Sequence, residues 1–559
     1  MKQKCLVTFS LFIYSLGLLF GQASYFPLGH DIYHEVNKLS PDQRTNIHIA
    51  ARPYSRKSVF NLFKQVLSDS LPVTDAHKIQ YFLKDTIGHF PDTGGKGFLN
   101  HFYKNPFHFL EYRSDDFSIV LNPILNFRTG YETETKELIY QNTRGLELYG
   151  DLDDKLYFYS AFFENQSNFL NYIVPYIDTY KAIRGQGNYK DFSSNLFSDL
   201  DGYDYSNVQA YLGYKLSKHS ILELGHGKHF YGNGIRSLLL SDSGQNYFYL
   251  KFRVQVWKMF YQSIFSELST VSARYATGSD VLSKKYMASH FLGFKLSPEL
   301  EIALFEAVVF SRADHFEFQY LNPVVFYRTI EHMIDSPDNV LLGFNISWSP
   351  AHSLSFYGQW ILDEMKTSQL FSGEGWWGNK YGFQLGMKYF NALKINGLDL
   401  QLEYNLVRPF TYSHWSSDGS FPEFSTASYS HYNQPLAHPL GANFTEIIFH
   451  LRYPFNEKIN VELQLLNTIT GRNDDINWGQ DILPVNTSRP SDFNVRLHQG
   501  ARSHIYAIDL NLSYRIYYNL HLELNSKYRK DSNDILGNTD TRYIGAGLRY
   551  NTANYRIDY

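Results

Sequence analysis

Many segments of the chain alternate between apolar and polar residues. In INVELQLLN, at residues 459–467, one face of an extended strand would carry the apolar side chains Ile459, Val461, Leu463 and Leu465. The same period of two recurs at residues 353–360, 399–406, 509–517 and 520–528. Strict alternation over such lengths is typical of half-buried β-strands, so the pattern predicts a protein built mainly of β-sheet.

Eighteen segments of this kind follow residue 116, and the connections between them alternate between short and long. We predict strands near residues 117–129, 138–150, 154–165, 207–216, 219–225, 246–255, 258–269, 286–296, 300–310, 338–349, 352–363, 378–390, 397–408, 442–453, 458–468, 503–516, 518–528 and 541–550. Short turns on one side and long loops on the other are typical of bacterial outer-membrane barrels. The pattern therefore predicts an all-β transmembrane β-barrel of about 18 antiparallel strands over residues 116–559.

The composition agrees with a barrel whose outer surface faces lipid. The chain has 45 Tyr and 44 Phe among 559 residues, yet its mean hydropathy is −0.34. No apolar run after the first 23 residues approaches the ~20 residues that a membrane-spanning helix needs. In a barrel, lipid-facing apolar residues alternate with residues of a polar lumen, and aromatic girdles mark the two interfaces. A soluble β-propeller is disfavoured because the sequence shows no blade-length repeat.

The N-terminal part of the chain has a different pattern. Residues 1–23 combine Lys2 and Lys4 with an apolar run and small residues, as in a secretory signal peptide. Residues 24–115 show helical spacing with cap-like Ser, Thr and Asp residues. We predict a signal peptide at 1–23, followed at 24–115 by a mostly helical periplasmic region and linker. Cys5 is the chain's only cysteine, so we expect no disulfide in the exported protein.

The charges and motifs exclude several classes of function. The formal net charge of −4 provides no basic footprint for nucleic acid. The sequence contains neither G-x-S-x-G nor H-E-x-x-H, so we predict no enzymatic activity, no catalytic residue and no cofactor. Asp199, Asp201 and Asp204 resemble half of a calcium loop without its distal glutamate, and solvated acids explain them better.

The stretch ILELGHGKHFYGNGIRSLLLSDSG, residues 221–244, is the densest candidate site. Its glycines lack the spacing of a phosphate-binding G-x-G-x-x-G motif. His226 and His229 are spaced for one metal ion, but no Cys, Asp or Glu completes a close cluster, and we predict no metal site. Two interpretations stay open. The stretch is either a glycine-rich loop folded back across the barrel mouth, or a loop that presents these groups to an anionic sugar: Lys228, His229, Tyr231 and Arg236.

Two further segments contribute candidates. In LNPVVFYRTIEHMIDSPDNVLLGFNISW, residues 321–348, Arg328, Glu331 and His332 fall within one helical turn. This segment is either a short helix that lines or plugs the pore, or one in which Arg328 and Glu331 merely pair with each other. In NTRGLELYG we expect Arg144 to face inward. Arg328 and Arg144 complete the set of predicted polysaccharide contacts.

The segments LELGHGKHFYGNGIRSLLLSDSG, TRGLELYG and LNPVVFYRTIEHMIDSPDN resemble the Wzi-like family of outer-membrane capsule-assembly proteins. IHIAARPYSRKSV is similar to the RemB-like branch, which is associated with gliding motility in Bacteroidetes. The resemblance runs through most of the barrel, from about Phe117 to the C-terminus. It implies an eighteen-stranded barrel with a small helical periplasmic element. It also implies a surface lectin that attaches and organises capsular polysaccharide.

The predicted partners follow from this resemblance and from the composition. We expect outer-membrane lipid of a Gram-negative, Bacteroidetes-like bacterium around the barrel, and a surface polysaccharide on its outer loops. The length of region 24–115 leaves room for a periplasmic or envelope protein partner, within gliding-motility or adhesin-export machinery. A passive diffusion channel would need an open lumen, and the bulky loops at 311–337 and 409–441 predict a plugged one.

Overall fold

The computed structural model describes residues 24–39, 47–67, 73–88, 102–194, 200–270, 284–312, 317–415, 425–553 and 557–559. The signal peptide predicted at 1–23 lies outside these ranges, as does Asp199 of the acidic segment. Antiparallel β-strands make up most of the described chain, and the eighteen long ones belong to a single closed barrel.

In chain order these strands, β1 to β18, are Phe117–Glu132, Glu137–Leu152, Leu156–Ser167, Leu200–Lys215, Ser220–Gly227, Tyr247–Val256, Met259–Ser269, Lys284–Lys295, Leu300–Phe310, Asn339–Ala351, Leu354–Glu364, Lys380–Tyr389, Asp399–Val407, Phe444–Pro454, Ile459–Arg472, Ala501–Tyr517, Leu520–Asn533 and Thr539–Tyr550. Each strand pairs with the next one along the chain, and β18 closes on β1, where Tyr543 lies opposite Glu132. The prediction of an eighteen-stranded antiparallel barrel is confirmed.

The alternation read from the sequence sets which side chains face the lumen. On β2, Thr143 and Glu147 are buried and line the lumen, whereas Leu146 between them is 54% exposed on the outer face. On β13, Glu403 and Asn405 are buried, whereas Leu402 and Tyr404 are exposed. Successive side chains of a strand point to opposite faces, so each strand supplies one apolar outer surface and one inner surface.

The two ends of the barrel differ. Short turns such as 153–155, 257–258 and 518–519 join strands at one end, called here the short-turn end. The opposite, long-loop end carries the long connections, including 228–246, 311–338, 365–379, 408–443 and 473–500. Two short strands extend the sheet at its margins: Leu110–Arg113 beside β1, and Lys190–Ser194 beside β4.

Helices are few and short. Three N-terminal helices, α1 to α3, span Ile32–Leu39, Arg56–Leu67 and Val73–Leu83. Three more lie in loops of the barrel: α4 at Val174–Tyr180, α5 at Tyr327–Ile334 and α6 at Thr367–Leu370. Single 3-10 turns occur at Phe318–Leu321, Ala392–Lys394 and Asn486–Ser488. Among the described helices, none has the length and apolar character to cross a membrane.

The N-terminal helices form a small domain with its own core. In α2, the apolar residues Val59, Phe60, Phe63 and Val66 recur at helical spacing and are all buried. They pack against Phe26 and against residues of α1 such as Val36. The opposite face of α2 is polar, so this domain has one surface that it can turn toward water.

This N-terminal domain occupies the barrel mouth at the short-turn end. Asp31 accepts a hydrogen bond from Arg452 of β14 at 2.5 Å, and His34 lies 2.7 Å from Asp399 of β13. On the other side of the mouth, the guanidinium of Arg56 stacks 4.2 Å from the ring of Tyr149 of β2. Contacts to strands this far apart in the sheet fix the domain across the opening.

Candidate functional site

The glycine-rich loop, residues 228–246, enters the barrel lumen from the long-loop end. The side chain of Tyr231 is fully buried, and its ring stacks on Phe291 of β8 with centroids 4.4 Å apart. Its hydroxyl accepts a hydrogen bond from Gln262 of β7 at 2.7 Å. Of the two interpretations of this stretch, the structure agrees with a loop folded back into the barrel.

The loop meets the N-terminal domain inside the lumen. Phe230 and Tyr231 pair antiparallel with Arg52 and Ala51, forming a two-residue strand pair. The N–H of Gly232 also donates to the carbonyl of Ala50 at 2.7 Å. Segments that enter from opposite ends of the barrel are therefore joined by backbone hydrogen bonds.

The lumen around this contact is packed with apolar as well as polar side chains. Leu238, Leu239 and Leu240 of the loop are fully buried. They share one hydrophobic cluster with inward residues of the strands, including Ile264, Leu341 and Ile361. The long-loop half of the barrel is thus packed like the core of a soluble protein. Toward the short-turn end a cavity of about 1250 Å³ remains, lined by charged groups such as Arg128, Glu462 and Arg549.

A carboxylate of the wall holds the tip of the glycine-rich loop. Glu403 of β13 accepts hydrogen bonds from the backbone N–H groups of Ile235 at 2.7 Å and Arg236 at 3.0 Å. Tyr357 of β11 donates a third hydrogen bond to the same carboxylate at 2.8 Å. Such charge-assisted hydrogen bonds are stronger than neutral ones, so Glu403 anchors the loop.

Gly234 stands where the loop comes closest to this carboxylate. A Cβ at this position would overlap the Glu403 carboxylate and lie 2.8 Å from the carbonyl oxygen of Arg236. We expect Gly234→Ala to lower the free energy of unfolding by about 1–3 kcal/mol, because the clamped carboxylate cannot move aside. Urea unfolding in detergent would measure the change. Gly227→Ala is the matched control, since its Cβ would meet no atom nearer than 3.8 Å; equal effects of the two variants would contradict the prediction.

Arg236 is the centre of a buried ionic network. Its Nη2 lies 2.6 Å from Oδ2 of Asp558 and 3.3 Å from Oε1 of Glu446 on β14. Glu446 also accepts a hydrogen bond from the hydroxyl of Tyr559 at 2.5 Å and contacts His438 at 2.8 Å. Burial disfavours the charged form of Arg236, but the two carboxylates outweigh it and raise the pKa of the guanidinium well above its usual value.

Lys228 is half-buried and His229 is buried within the lumen. Nζ of Lys228 donates to the carbonyls of Gly185 at 2.8 Å and Asp242 at 3.2 Å. Burial lowers the pKa of Lys228 to about 8. His229 is 1% exposed and contacts the hydroxyl of Tyr247 at 3.1 Å. All four candidates of the glycine-rich loop therefore bind other parts of the chain in this structure, rather than facing an external sugar.

The remaining two candidates lie on the outside of the barrel. Arg328 belongs to α5, which packs on the outer face of the wall, and its side chain is 65% exposed and paired with Glu331. The helix and the ion pair are as predicted, but the pore-lining position is wrong. Arg144 is exposed opposite Glu164, on the outer side of β2, because its neighbours Thr143 and Gly145 occupy the inward positions. The inward orientation expected for Arg144 is wrong as well.

A second long loop also fills the lumen. Its described residues 425–443 include His431, which is 6% exposed. Nδ1 of His431 accepts a hydrogen bond from the N–H of Ser269 at 3.0 Å, and Nε2 lies 3.0 Å from the carbonyl of Asn246, to which it donates. This pair of partners requires a neutral imidazole, and burial lowers the pKa of His431 to about 3.

The glycine-rich loop and residues 425–443 together form what we call the plug. His431 is expected to make the stability of this plug sensitive to acid. Above pH ~6.5 the imidazole is neutral in both states, and its hydrogen bonds are fully retained. As the pH falls below 6.5, the unfolded chain takes up the proton first, so stability falls by about 2 kcal/mol by pH 5. Urea unfolding at pH 7.5 and pH 5 should show this loss in the wild type and a smaller one in His431→Gln. His504→Gln, on the outer face, is the control; identical pH dependence in all three proteins would contradict the prediction.

A different group of loops lies at the long-loop end. We call residues 365–379 and 489–497 the outer crown. The N–H of Trp377 donates to the carbonyl of Asp492 at 2.9 Å, and the N–H of Val495 donates to Gly375 at 2.9 Å. The guanidinium of Arg489 stacks 3.9 Å from the Trp377 ring. These backbone bonds join two loops that are distant in sequence into one unit.

The outer crown encloses a pocket of about 340 Å³. Its lining includes Asn379, Tyr381, Arg408 and Arg496. Asn379 is 5% exposed, and its Oδ1 has no hydrogen-bond partner among the described residues. Amides, phenol rings and guanidinium groups around a concave surface are suited to bind hydroxylated or anionic ligands. The sequence analysis missed this pocket, although the adjacent tryptophans of GEGWWGNK were a usable signal.

Comparison with solved structures identifies the architecture. Wzi of Escherichia coli, an outer membrane protein involved in group 1 capsule assembly and described as a carbohydrate-binding β-barrel, matches with a TM-score of 0.57. The match has 12% sequence identity and covers 94% of this chain and 98% of Wzi. The chain shares its fold with Wzi. No family model matches the sequence, and no curated protein matches it.

Two further barrels match over a smaller part of the chain. OprD of Pseudomonas aeruginosa has a TM-score of 0.41 at 10% identity, covering 77% of this chain and 94% of OprD. OccAB2 of Acinetobacter baumannii has a TM-score of 0.41 at 9% identity, covering 78% and 98% of the two chains. The Wzi match, in contrast, covers nearly the whole of both chains.

Proposed function

We propose that this protein is an outer-membrane barrel that binds or organises polysaccharide at the cell surface, without catalysing a reaction. The observation that carries the proposal is the pocket of the outer crown, on a barrel whose lumen is occupied by its own chain. The fold shared with Wzi, described as carbohydrate-binding, supports this assignment. Because one fold serves many functions, the pocket's own chemistry has to carry the argument.

The position of the pocket fits a surface receptor. Outer-membrane barrels place their short turns in the periplasm and their long loops outside the cell. In this orientation the N-terminal domain faces the periplasm and the outer crown faces the medium. The glycine-rich loop is buried in the lumen and takes no part in binding.

The chemistry of the pocket favours an acidic sugar. Arg496 would pair with a carboxylate, since guanidinium groups bind carboxylates through two parallel hydrogen bonds. Arg408 already donates to the carbonyls of Asn379 at 2.8 Å and Val495 at 3.4 Å, and so adds positive charge to the pocket wall. The ring of Tyr381 would pack on the apolar face of a pyranose.

Binding of the purified protein to the bacterium's own surface polysaccharide tests the proposal. We expect saturable binding that Arg496→Ala weakens by about tenfold, the loss of one charge-assisted hydrogen bond of roughly 1.4 kcal/mol. Arg328→Ala is the matched control, because this exposed arginine belongs to α5 on the outer wall and does not line the pocket. Absence of binding to any polysaccharide, or equal losses in both variants, would exclude this function.

A second candidate is a component of gliding-motility or adhesin-export machinery, as the RemB-like resemblance implies. The polar face of α2 favours it, because Ser58, Asn61, Lys64 and Gln65 are exposed at the short-turn end. Such a face would be open to a periplasmic protein. Affinity purification of the full chain, with Lys64→Glu as the comparison, should then recover an envelope protein that the variant loses. Recovery of the same proteins by both would argue against this role.

A further inference from the structure

The segment 317–338, here the wall segment, lies on the outer face of the barrel. It covers β8, β9 and β10, where Val308 and Phe310 point outward and are nevertheless fully buried. Tyr320 packs on Phe310 with ring centroids 4.8 Å apart, and Tyr327 packs on His290 of β8 at 4.1 Å. On the same strand β9, Leu304 is 57% exposed below the segment.

The wall segment satisfies polar groups that the wall directs outward. Glu306 of β9 is 6% exposed and accepts a hydrogen bond from the N–H of Arg328 at 3.1 Å. The hydroxyl of Tyr327 lies 2.6 Å from Nε2 of His290, and Tyr261 donates to the carbonyl of Pro323 at 2.5 Å. In hydrocarbon, leaving any of these polar groups without a hydrogen-bond partner would cost several kcal/mol of free energy.

The opposite face of the wall segment is apolar and uncovered by the described chain. Val324, Phe326 and Met333 are 85%, 72% and 73% exposed. A patch of large apolar side chains marks a contact with lipid or with another protein. It is continuous with the exposed apolar positions of the bare wall beside it, such as Leu304 and Leu342.

The depth of the segment on the wall points to lipid. Glu306 lies four residues below the end of β9 at Phe310, which is about 13 Å along the strand. This distance places the hydrogen bond between Glu306 and Arg328 within the outer half of a hydrocarbon core that is ~30 Å thick. The surrounding wall contacts lipid acyl chains, so acyl chains are expected to cover the apolar patch of the wall segment as well.

We propose that the wall segment is seated in the outer leaflet of the membrane, with Val324, Phe326 and Met333 against lipid acyl chains. Arg328, 65% exposed, and His332 then extend toward the phosphates of the lipid headgroups. The backbone of the non-helical part is compatible with this site. The carbonyl of Pro323 accepts from Tyr261, and the N–H of Val324 donates to Asn322 at 3.1 Å.

Spin labels at single cysteines would test this placement. Cys5 is the only cysteine, so Val324→Cys, Phe326→Cys and Met333→Cys can each be labelled in a Cys5→Ser background. The protein is reconstituted in phosphatidylcholine vesicles, and collisions with oxygen and with a water-soluble nickel chelate are compared. Leu385→Cys, 65% exposed on the bare wall, is the lipid control, and Ile535→Cys, 61% exposed in a long-loop-end turn, is the water control.

We expect the three labels to collide with oxygen more than with nickel, as at residue 385. Preferential collision with nickel, as at residue 535, would overturn the proposal and place the segment in water. Exclusion of both reagents would also overturn it, because a second protein or a second copy of the chain would then cover the patch. Three separate positions keep the result independent of any one variant.

Discussion

Arg236→Ala is expected to lower the free energy of unfolding by about 3–5 kcal/mol, the usual cost of removing one partner from a buried ionic network. The guanidinium lies between Asp558 and Glu446, and both carboxylates are almost completely buried. Without Arg236 they lose their counter-charge in a medium of low dielectric. The glycine-rich loop should then leave the lumen, since its tip would bring no compensating charge.

Urea unfolding in detergent and hydrogen exchange of residues 228–246 would measure this effect. The control is Arg328→Ala, which removes an exposed ion pair and should change stability by at most about 1 kcal/mol. Similar losses in the two variants, or unchanged exchange of the loop, would contradict the network's role. Because Arg236 is structural in this account, loss of glycan binding in its alanine variant would not by itself identify a sugar contact.

The barrel could be predicted because its signal is local. Alternation within each strand, and the alternation of short and long connections, are both properties of neighbouring residues. All eighteen strands were placed within a few residues, apart from β4, whose N-terminal half extends to Leu200. The same parity argument would have corrected Arg144, since it shares a strand face with Leu146 and Leu148.

The contents of the lumen could not be predicted in this way. Arg236 pairs with Asp558, and Asp31 with Arg452, across several hundred residues of sequence. No local pattern indicates which loop enters the barrel and which stays outside. The amphipathic segment around Arg328 shows the limit of prediction from local patterns. The sequence indicated its helix but not the surface on which the helix packs. Because the glycine-rich loop is buried, its residues are no longer candidate sugar contacts. The crown pocket is formed by two loops that are distant in sequence, so no single segment of the sequence indicates it.

Removing the plug together with the N-terminal domain is expected to turn the barrel into a channel. Unplugged barrels of 16–18 strands leave an aqueous pore, and here the glycine-rich loop and residues 425–443 occupy that space, while the N-terminal domain spans the mouth at the short-turn end. In planar lipid bilayers the wild type should show little conductance. A variant in which both lumen loops are replaced by short Gly-Ser linkers and residues 24–88 are deleted should conduct roughly tenfold more, by analogy with open barrels. Loop replacement alone, or deletion alone, should give a smaller increase.

Shortening residues 365–379 of the outer crown is the matched control for this experiment, because the crown lies outside the lumen and its loss should leave conductance unchanged. An open wild-type pore, or a variant without both lumen loops and the N-terminal domain that remains closed, would contradict the plugged architecture. The difference between an open and a plugged barrel bears on function. A barrel whose longest loops fill its own lumen presents only its outer surfaces to other molecules. The crown pocket and the wall segment are two of these outer surfaces, and we propose that one faces the medium and the other the membrane.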